Sequence, residues 1–127
     1  MNRHVIHTTN APAAVGPYSQ AVQVGNLLYT AGQIGLDPAT GEMRSGLEAQ
    51  TEQVMANLQA VLAAAGADFA SVIKTTIFIT DMADFGVING IYGRFFSDQP
   101  PARSTVAVAQ LPLGALVEIE AVALIAD

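Results

Sequence analysis

The spacing of the apolar residues changes several times along the chain, and this feature constrains the fold most strongly. Residues 20–24 and 27–33 alternate apolar and polar side chains, as half-buried strands do, with Gly25-Asn26 between them as a tight turn. A stretch with helical spacing follows and ends at Gly66, a residue type common just after a helix. Its apolar face consists of Leu47, Val54, Leu58, Val61, Leu62 and Ala65.

A second strand-and-helix pair is predicted next. Residues 72–80 are rich in β-branched side chains and predict a strand, after which Asp81 or Asp84 is expected to cap a helix. The apolar face of this helix would be Phe85, Ile88, Tyr92, Phe95 and Phe96. Three glycines weaken it by roughly 1 kcal/mol each relative to alanine, so tertiary packing or a closely approaching backbone would have to compensate.

The last third of the chain predicts two more strands. Pro100-Pro101 ends the second helix, residues 103–109 and 116–125 are apolar and extended, and residues 111–114 form a turn between them. The predicted order is β-β-α-β-α-β-β over a single domain spanning residues 1–127. We expect an α+β or α/β layer with both helices on one face of a mixed sheet.

The composition bears on what covers the open face of that sheet. Hydrophobic residues make up 51% of the 127 residues, charged residues only 13%, and the mean hydropathy is +0.39. A domain of this size has a large surface to cover with few charges. We therefore expect the open face to be buried against another copy of the chain, rather than an unusually apolar monomer.

Charge and residue types exclude several classes of function. The net charge is −6, and the five basic residues form no stripe that would favour nucleic acid. The chain has no cysteine, and His4 and His7 lie in a polar stretch without partners, so neither thiol chemistry nor a metal site is expected. No segment has the length and apolarity of a membrane span. A cytosolic protein without a cofactor is the expectation.

Arg103 is the residue most informative about chemistry. It follows Pro-Pro-Ala, a stiff stretch, and opens an apolar strand, where an arginine is costly without an anionic partner. Its planar guanidinium matches a carboxylate with two parallel hydrogen bonds. Two interpretations stay open: Arg103 binds the carboxylate of a ligand, or it forms an ion pair with an internal Asp or Glu.

Glu118 and Glu120 are two residues apart on a predicted strand and therefore share one face. A carboxylate among Val, Ile and Ala is expected to have a raised pKa and could transfer a proton of a bound water. The alternatives are a polar rim on an edge strand and an ion pair between one glutamate and Arg103.

Four further residues are candidates on weaker grounds. Residues 16–19 (GPYS) could form a turn that presents the Tyr18 hydroxyl, although such a tyrosine is more often a packed ring. Gly32 interrupts a strand, which marks either the close approach of a ligand or backbone, or a β-bulge. Asn89 is a ligand contact or an ordinary helix amide, and Phe85 is more simply a core residue than part of a ligand pocket.

Taken together, several segments resemble the RidA family of reactive intermediate deaminases, also called the YjgF family. They are residues 10–21 (NAPAAVGPYSQA), 29–35 (YTAGQIG), 72–76 (VIKTT), 101–104 (PARS) and 111–121 (LPLGALVEIEA). The resemblance covers nearly the whole chain in the same order. It implies a chorismate-mutase-like α+β fold and a homotrimer with a barrel-like centre and three clefts between subunits.

The resemblance also implies an activity. Deaminases of this family hydrolyse 2-iminopropanoate and 2-iminobutanoate, which arise from enamines made by pyridoxal-phosphate enzymes, and release ammonia and the 2-oxo acid. They need no cofactor or metal, because an imine is already electrophilic and the protein has only to orient one water and move a proton.

By position, the resemblance implies roles for particular residues. Arg103 would hold the substrate carboxylate, and Gly32 would offer a backbone N–H. Glu118, together with the backbone carbonyl of Thr105, would place the attacking water. The cleft would be lined by Tyr18, Ala31, Phe85 and Asn89. Two residues depart from the family pattern: Ala31 stands where many relatives have Ser, and Thr105 stands where some have Cys.

Other functions compete with deamination. A non-catalytic module that senses small carboxylates through Arg103 would use the same pocket. Some relatives have been described as RNA-cleaving or as inhibitors of translation, but the net charge and the lack of a histidine acid–base pair argue against that activity here. Only the general hydrophobicity favours a chaperone-like role.

Overall fold

The computed structural model describes residues 2–96 and 98–125, which form one six-stranded sheet and two α-helices. The elements are β1 (Arg3–Ile6), β2 (Ala21–Val24), β3 (Leu27–Thr30), α1 (Leu47–Ala64), β4 (Val72–Ile79), α2 (Phe85–Tyr92), β5 (Ala102–Ala107) and β6 (Val117–Leu124). The strands lie in the order β1-β2-β3-β6-β4-β5. Strands β4 and β5 are parallel, and the other neighbours are antiparallel. This confirms the predicted α+β arrangement with a mixed sheet.

Both helices pack on the same face of the sheet. The central core cluster joins buried residues of α1, α2, β4 and β6: Val54, Met55, Leu58, Ile77, Ile79, Ile88, Tyr92, Val117 and Ile119. Alternate residues of each strand point to the other face, which no described element covers. Four large apolar side chains of that open face are 41–51% exposed: Val5, Tyr29, Val106 and Leu124. The predicted open face is therefore present.

The first strand was not predicted from the sequence. Strand β1 contains His4 and pairs with β2, so the stretch that the pattern suggested was an irregular polar segment is an edge strand. The predicted order therefore lacked one strand at its start. Three of the four residues of β1 are exposed, which leaves no alternation of apolar and polar residues to detect.

The second helix is shorter than the apolar spacing predicted. Asp81 caps a 3₁₀ turn before the helix, accepting a hydrogen bond from the Ala83 N–H at 2.9 Å. Helix α2 ends at Tyr92, where Gly93 begins another 3₁₀ turn that carries Phe95. A β-carbon at Gly86, Gly90 or Gly93 would meet no atom within 4 Å. The predicted close approach of a neighbouring backbone is thus not found within the described chain.

Candidate functional site

A β-bulge interrupts β3 at Ala31 and Gly32. Four residue steps from Tyr29 to Gln33 lie opposite only three steps of β6, from Ile119 to Val122, so one residue is extra. Beyond the bulge, the ladder resumes with hydrogen bonds between Gln33 and Ile119 in both directions, at 2.9 and 3.1 Å. Of the two alternatives for Gly32, the bulge is therefore confirmed, and the group that approaches Gly32 closely within the chain is a side chain rather than a backbone segment.

Glu118 packs directly against the bulge. A β-carbon at Gly32 would lie 2.7 Å from both Cδ and Oε2 of Glu118, so the carboxylate can occupy this position only because residue 32 is a glycine. Strand β6 lies between β3 and β4, which excludes the predicted alternative of an edge-strand rim for Glu118. Burial raises the pKa of Glu118, and the charge of Glu120 raises it further.

A cleft of about 270 Å³ opens above this carboxylate. Its walls are formed by the N-terminal loop, the bulge and the turn before β6: Pro12, Ala13, Val15, Tyr18, Gln20, Gly32, Gln33, Ile34, Leu36, Pro112, Leu113 and Glu118. Glu118 is the one ionisable carboxylate in this set, and most of the other residues are apolar. A larger groove of about 450 Å³ beside Phe69 and Arg94 contains none of the predicted site residues.

Backbone hydrogen bonds hold Tyr18, which lines the cleft, and Ala31, which lies next to Gly32 in the bulge but does not itself line the cleft. The Tyr18 N–H donates to the carbonyl of Gly16 at 2.8 Å, which forms the predicted turn and leaves the Tyr18 side chain 53% exposed. The Ala31 N–H donates to the carbonyl of Gln20 at 2.9 Å. Tyr18 is thus presented at the mouth of the cleft, as the sequence suggested.

Arg103 lies elsewhere, on the edge strand β5, and its guanidinium contacts side chains of α2. Its Nη1 donates a 2.6 Å hydrogen bond to Oδ1 of Asn89. Its Cζ lies 5.2 Å from the ring centroid of Phe85 and 5.1 Å from that of Tyr92, the geometry of cation–π contacts. Asn89 therefore orients the guanidinium, and Phe85 packs against it.

The predicted internal ion pair of Arg103 is not found in the described residues. The ion pairs in that part of the chain join Arg44 to Asp37 and Arg94 to Glu52. Arg103 thus remains a half-buried cation without a carboxylate from residues 2–96 and 98–125. This is the state expected of an arginine that receives its anion from outside.

Thr105 lies two residues beyond Arg103 on β5 and points to the same face of the sheet. Its Oγ1 is buried and has no hydrogen-bond partner among the described residues. A buried hydroxyl without a partner costs stability. Thr105 is not among the residues that line the Glu118 cleft, so within one chain its carbonyl does not share that cleft with Glu118.

The sheet separates the candidate residues into two groups. Arg103 is paired with Thr75 of β4, whose side chain is buried on the helix side, whereas Glu118 is paired with Phe78 on the open face. Paired residues of neighbouring strands point to the same face. Tyr18, Ala31, Gly32 and Glu118 therefore meet at one place, and Phe85, Asn89, Arg103 and Thr105 at another. A single chain does not bring Arg103 and Glu118 to one ligand.

Sequence reasoning missed three residues that shape these two places. Gln20 is buried beside the cleft, where its amide donates to the carbonyls of Thr8 and Pro12 at 3.0 and 2.9 Å and holds the N-terminal loop. Leu113 at the cleft mouth adopts φ 56° and is 73% exposed. Tyr92 was assigned only to the core. A polar residue at a strand start could have indicated Gln20, but no sequence signal marks the backbone of Leu113.

Two other classes of site are absent from the part of the chain that is described. It contains no group of three or more His, Cys, Asp or Glu side chains arranged to hold a metal ion. None of its helices is long and apolar enough to cross a membrane.

The two-layer arrangement of helices and mixed sheet places the chain in the α+β class, and comparison with known proteins assigns the family. Residues 8–125 match the family described as Endoribonuclease L-PSP. Protein DfrA of Myxococcus xanthus is 56% identical over 126 residues, covering 97% of this chain and 96% of that protein. The 2-iminobutanoate/2-iminopropanoate deaminase of Mus musculus is 52% identical over 122 residues, covering 95% and 90%.

The fold agrees with this assignment. The crystal structure of RidA from the Antarctic bacterium Psychrobacter sp. superimposes with a TM-score of 0.94 at 48% identity, covering 96% of this chain and 99% of that one. The chain therefore belongs to the Endoribonuclease L-PSP family, also known as the YjgF/RidA family. The resemblance found in the sequence is confirmed.

Proposed function

We propose that this protein is a hydrolytic deaminase that converts reactive 2-imino acids, such as 2-iminopropanoate and 2-iminobutanoate, into ammonia and the 2-oxo acid. The name of the mouse relative supports this substrate class. The observation that carries the proposal is the environment of Arg103. A guanidinium held by Asn89, Phe85 and Tyr92, with no carboxylate from the described chain, is prepared to bind the carboxylate of a small molecule.

Glu118 supplies the proton chemistry in this proposal. Its raised pKa makes it a better proton carrier near neutral pH than an ordinary glutamate. In the first step, the Glu118 carboxylate takes one proton from the water as the water oxygen bonds to the carbon of the N-protonated imine, whose C=N π electrons move to the nitrogen and give an amino alcohol. In the second step, Glu118 returns this proton to the nitrogen, the C–N bond breaks and releases ammonia, and the hydroxyl proton passes to solvent as the C=O bond forms. Gly32 and Tyr18 line the same cleft and bound the space for the reacting group.

The site is built from two subunits of a homotrimer in this proposal. Arg103 and Glu118 lie on opposite faces of one sheet, so a ligand that touches both needs two copies of the chain. The apolar open face supports self-association, because a free monomer would expose it to water. The edge strand β5 of one subunit would then bring Arg103 to the Glu118 cleft of its neighbour.

A coupled assay tests the activity. An amino-acid dehydratase generates the imine in situ, and formation of the 2-oxo acid is timed with and without this protein. We expect acceleration by the wild type and its loss in Arg103→Ala and Arg103→Lys, because lysine lacks the bidentate geometry. A charge-assisted pair to a carboxylate contributes about 2–5 kcal/mol, so kcat/KM should fall by at least tens-fold.

A matched control separates this loss from a general effect of removing a cation. Arg94 lies on the surface beside Glu52, and both Arg94→Ala, which removes a cation, and Arg94→Lys should leave the rate unchanged. Ammonia release equal to the uncatalysed rate, with a wild-type protein that still binds 2-oxobutanoate, would instead favour the non-catalytic carboxylate-binding module. RNA cleavage with no imine hydrolysis would contradict both.

A further inference from the structure

The support beneath Arg103 contains a buried polar pair that the proposed chemistry does not use. The hydroxyl oxygens of Tyr92 and Thr75 are 2.7 Å apart, and the two residues are only 5% and 2% exposed. Thr75 lies on β4 directly opposite Arg103 in the register with β5. The hydrogen bond therefore ties the tip of the Tyr92 ring to the strand beside the arginine.

The two hydroxyls are buried next to apolar core residues. Tyr92 belongs to the core cluster with Ile77, Ile88 and Ile119. Burying its hydroxyl and that of Thr75 is tolerated because the two hydroxyls satisfy each other. Burial raises the pKa of the Tyr92 phenol, so the hydroxyl stays protonated and the bond persists across the physiological range. The hydrogen bond between the two hydroxyls therefore fixes the position of the Tyr92 ring.

The guanidinium of Arg103 lies over this fixed ring of Tyr92. Its centroid is 5.1 Å from Cζ of Arg103, while Asn89 holds Nη1 from the same helix. An arginine side chain loses rotamer freedom when it binds an anion, and this loss of entropy weakens the affinity. A side chain that is already ordered before binding avoids this cost and binds the anion more tightly. Phe85 contributes a second ring at 5.2 Å, but it is not tied by a side-chain hydroxyl.

We propose that Tyr92 and Thr75 are positioning residues for Arg103: their hydroxyl pair locks the Tyr92 ring under the guanidinium and holds it ready for a ligand carboxylate. This inference rests on the proposed function for the identity of the ligand, but not for the ordering of Arg103. The two can therefore be tested separately.

The first measurement needs no ligand. In protein with ¹⁵N-labelled arginine, a guanidinium held by Asn89 and the rings should show slow rotation about Nε–Cζ and resolved Nη signals. Arg103 is one of four arginines, and its signals are assigned by their loss in Arg103→Lys. We expect these resolved signals in the wild type and partly broadened signals in Tyr92→Phe and Thr75→Val, which keep the ring but break the hydroxyl pair. Averaged signals are expected in Tyr92→Leu, which removes the ring.

The second measurement is the affinity for 2-oxobutanoate by calorimetry. A cation–π contact in a shielded site is worth enough that Tyr92→Leu should weaken binding roughly tenfold. Thr75→Val, which frees the ring tip, should weaken binding by a smaller factor of about two to five, and Tyr92→Phe should lie between Thr75→Val and the wild type.

A matched control distinguishes positioning from loss of core packing. Phe69 belongs to the same aromatic group, with its ring centroid 5.4 Å from those of Phe95 and Phe96, and it makes no ring contact with Arg103. Phe69→Leu should lower stability as Tyr92→Leu does while leaving the Arg103 signals and the affinity unchanged.

Four results overturn the inference: unaltered Arg103 signals in Tyr92→Leu, equal affinities of wild type and Tyr92→Leu, an equal loss in Phe69→Leu, or wild-type signals and affinity in both Tyr92→Phe and Thr75→Val, which break the hydroxyl pair and keep the ring. If the wild type binds no 2-oxo acid and catalyses no deamination, the proposed function fails. The positioning of Arg103 is then still decided by the ¹⁵N spectra.

Discussion

At the residue scale, Glu118 shows how a group that supports the proposed reaction weakens the fold. Its raised pKa means that the folded protein binds this proton more tightly than the unfolded chain does. The resulting stabilisation is complete below the unfolded pKa, about 4.3, and is lost as the pH rises through the folded pKa. At neutral pH, the ionised carboxylate is therefore less favourable in the folded state than in the unfolded chain.

We accordingly expect Glu118→Gln to raise the melting temperature at pH 7 and to leave it unchanged below about pH 4. The same variant should lose roughly 10²–10⁴-fold in kcat, because glutamine cannot carry the proton. Melting curves and the coupled assay on one preparation check both. Glu42→Gln, at an exposed loop position, should change neither quantity. A variant that is no more stable at pH 7 would contradict the assigned burial of the charge.

Substitution of threonine by valine should change the free energy of unfolding in opposite directions at two buried positions. Thr105→Val removes a buried hydroxyl that has no partner, so the free energy of unfolding should rise by up to about 1 kcal/mol. Thr75→Val leaves the Tyr92 hydroxyl unpaired and should cost about 1–3 kcal/mol. Urea unfolding at equal protein concentration measures both. Equal losses in the two variants would mean that the Thr105 hydroxyl has a partner in the assembled protein.

At the scale of the elements, glycines of β3 and α2 serve different purposes. Gly32→Ala would place a β-carbon 2.7 Å from the Glu118 carboxylate, which must then move, and a shift of about 1 Å can cost roughly 10²-fold in rate. Gly90→Ala meets nothing within 4 Å and should stabilise α2 by about 1 kcal/mol with normal activity. Thermal melting together with the coupled assay tests the contrast. A destabilised Gly90→Ala variant would indicate a neighbouring subunit at α2.

The same elements show how far the sequence could predict this protein. Helical spacing identified α1, β-branched composition identified β4, and an apolar stretch identified β6, because these elements are long and largely buried. The apolar pattern missed β1, which buries one residue, and it extended α2 through Gly93 because Phe95 and Phe96 fit the helical period. The spacing of apolar residues does not show where an α-helix ends and a 3₁₀ turn begins at a glycine.

The sequence indicated residues of the candidate site more readily than their arrangement. The few cations and the Pro-Pro-Ala context singled out Arg103, whereas spacing did not distinguish Glu118 from Glu120, and only the family resemblance favoured Glu118 and implied clefts between subunits. The separation of Arg103 and Glu118 onto opposite faces follows from the strand register, since Arg103 lies opposite Thr75 and Glu118 opposite Phe78, and these two β4 residues point to opposite faces. The register depends on long-range pairing, which no local pattern contains.

At the scale of the whole molecule, the open sheet face and the divided site lead to the same expectation, that the active form is an oligomer. In a homotrimer, each interface would combine Arg103 of one subunit with Glu118 of the next, because a cyclic assembly uses one contact three times. Arg103→Ala and Glu118→Gln proteins should each be inactive alone, since every interface then lacks one of the two groups.

Mixing these two inactive variants should restore activity. After co-refolding in equal amounts, a site is intact when a subunit with Arg103 precedes one with Glu118, so about one quarter of the sites should work. A site contained in one chain would give none, because no chain in the mixture has both residues. As a control, the double variant co-refolded with wild type should retain about one quarter of the activity if sites are shared, but one half if they are not. Light scattering on the same samples establishes that mixed trimers form, and a stable monomer at micromolar concentration would exclude the shared site.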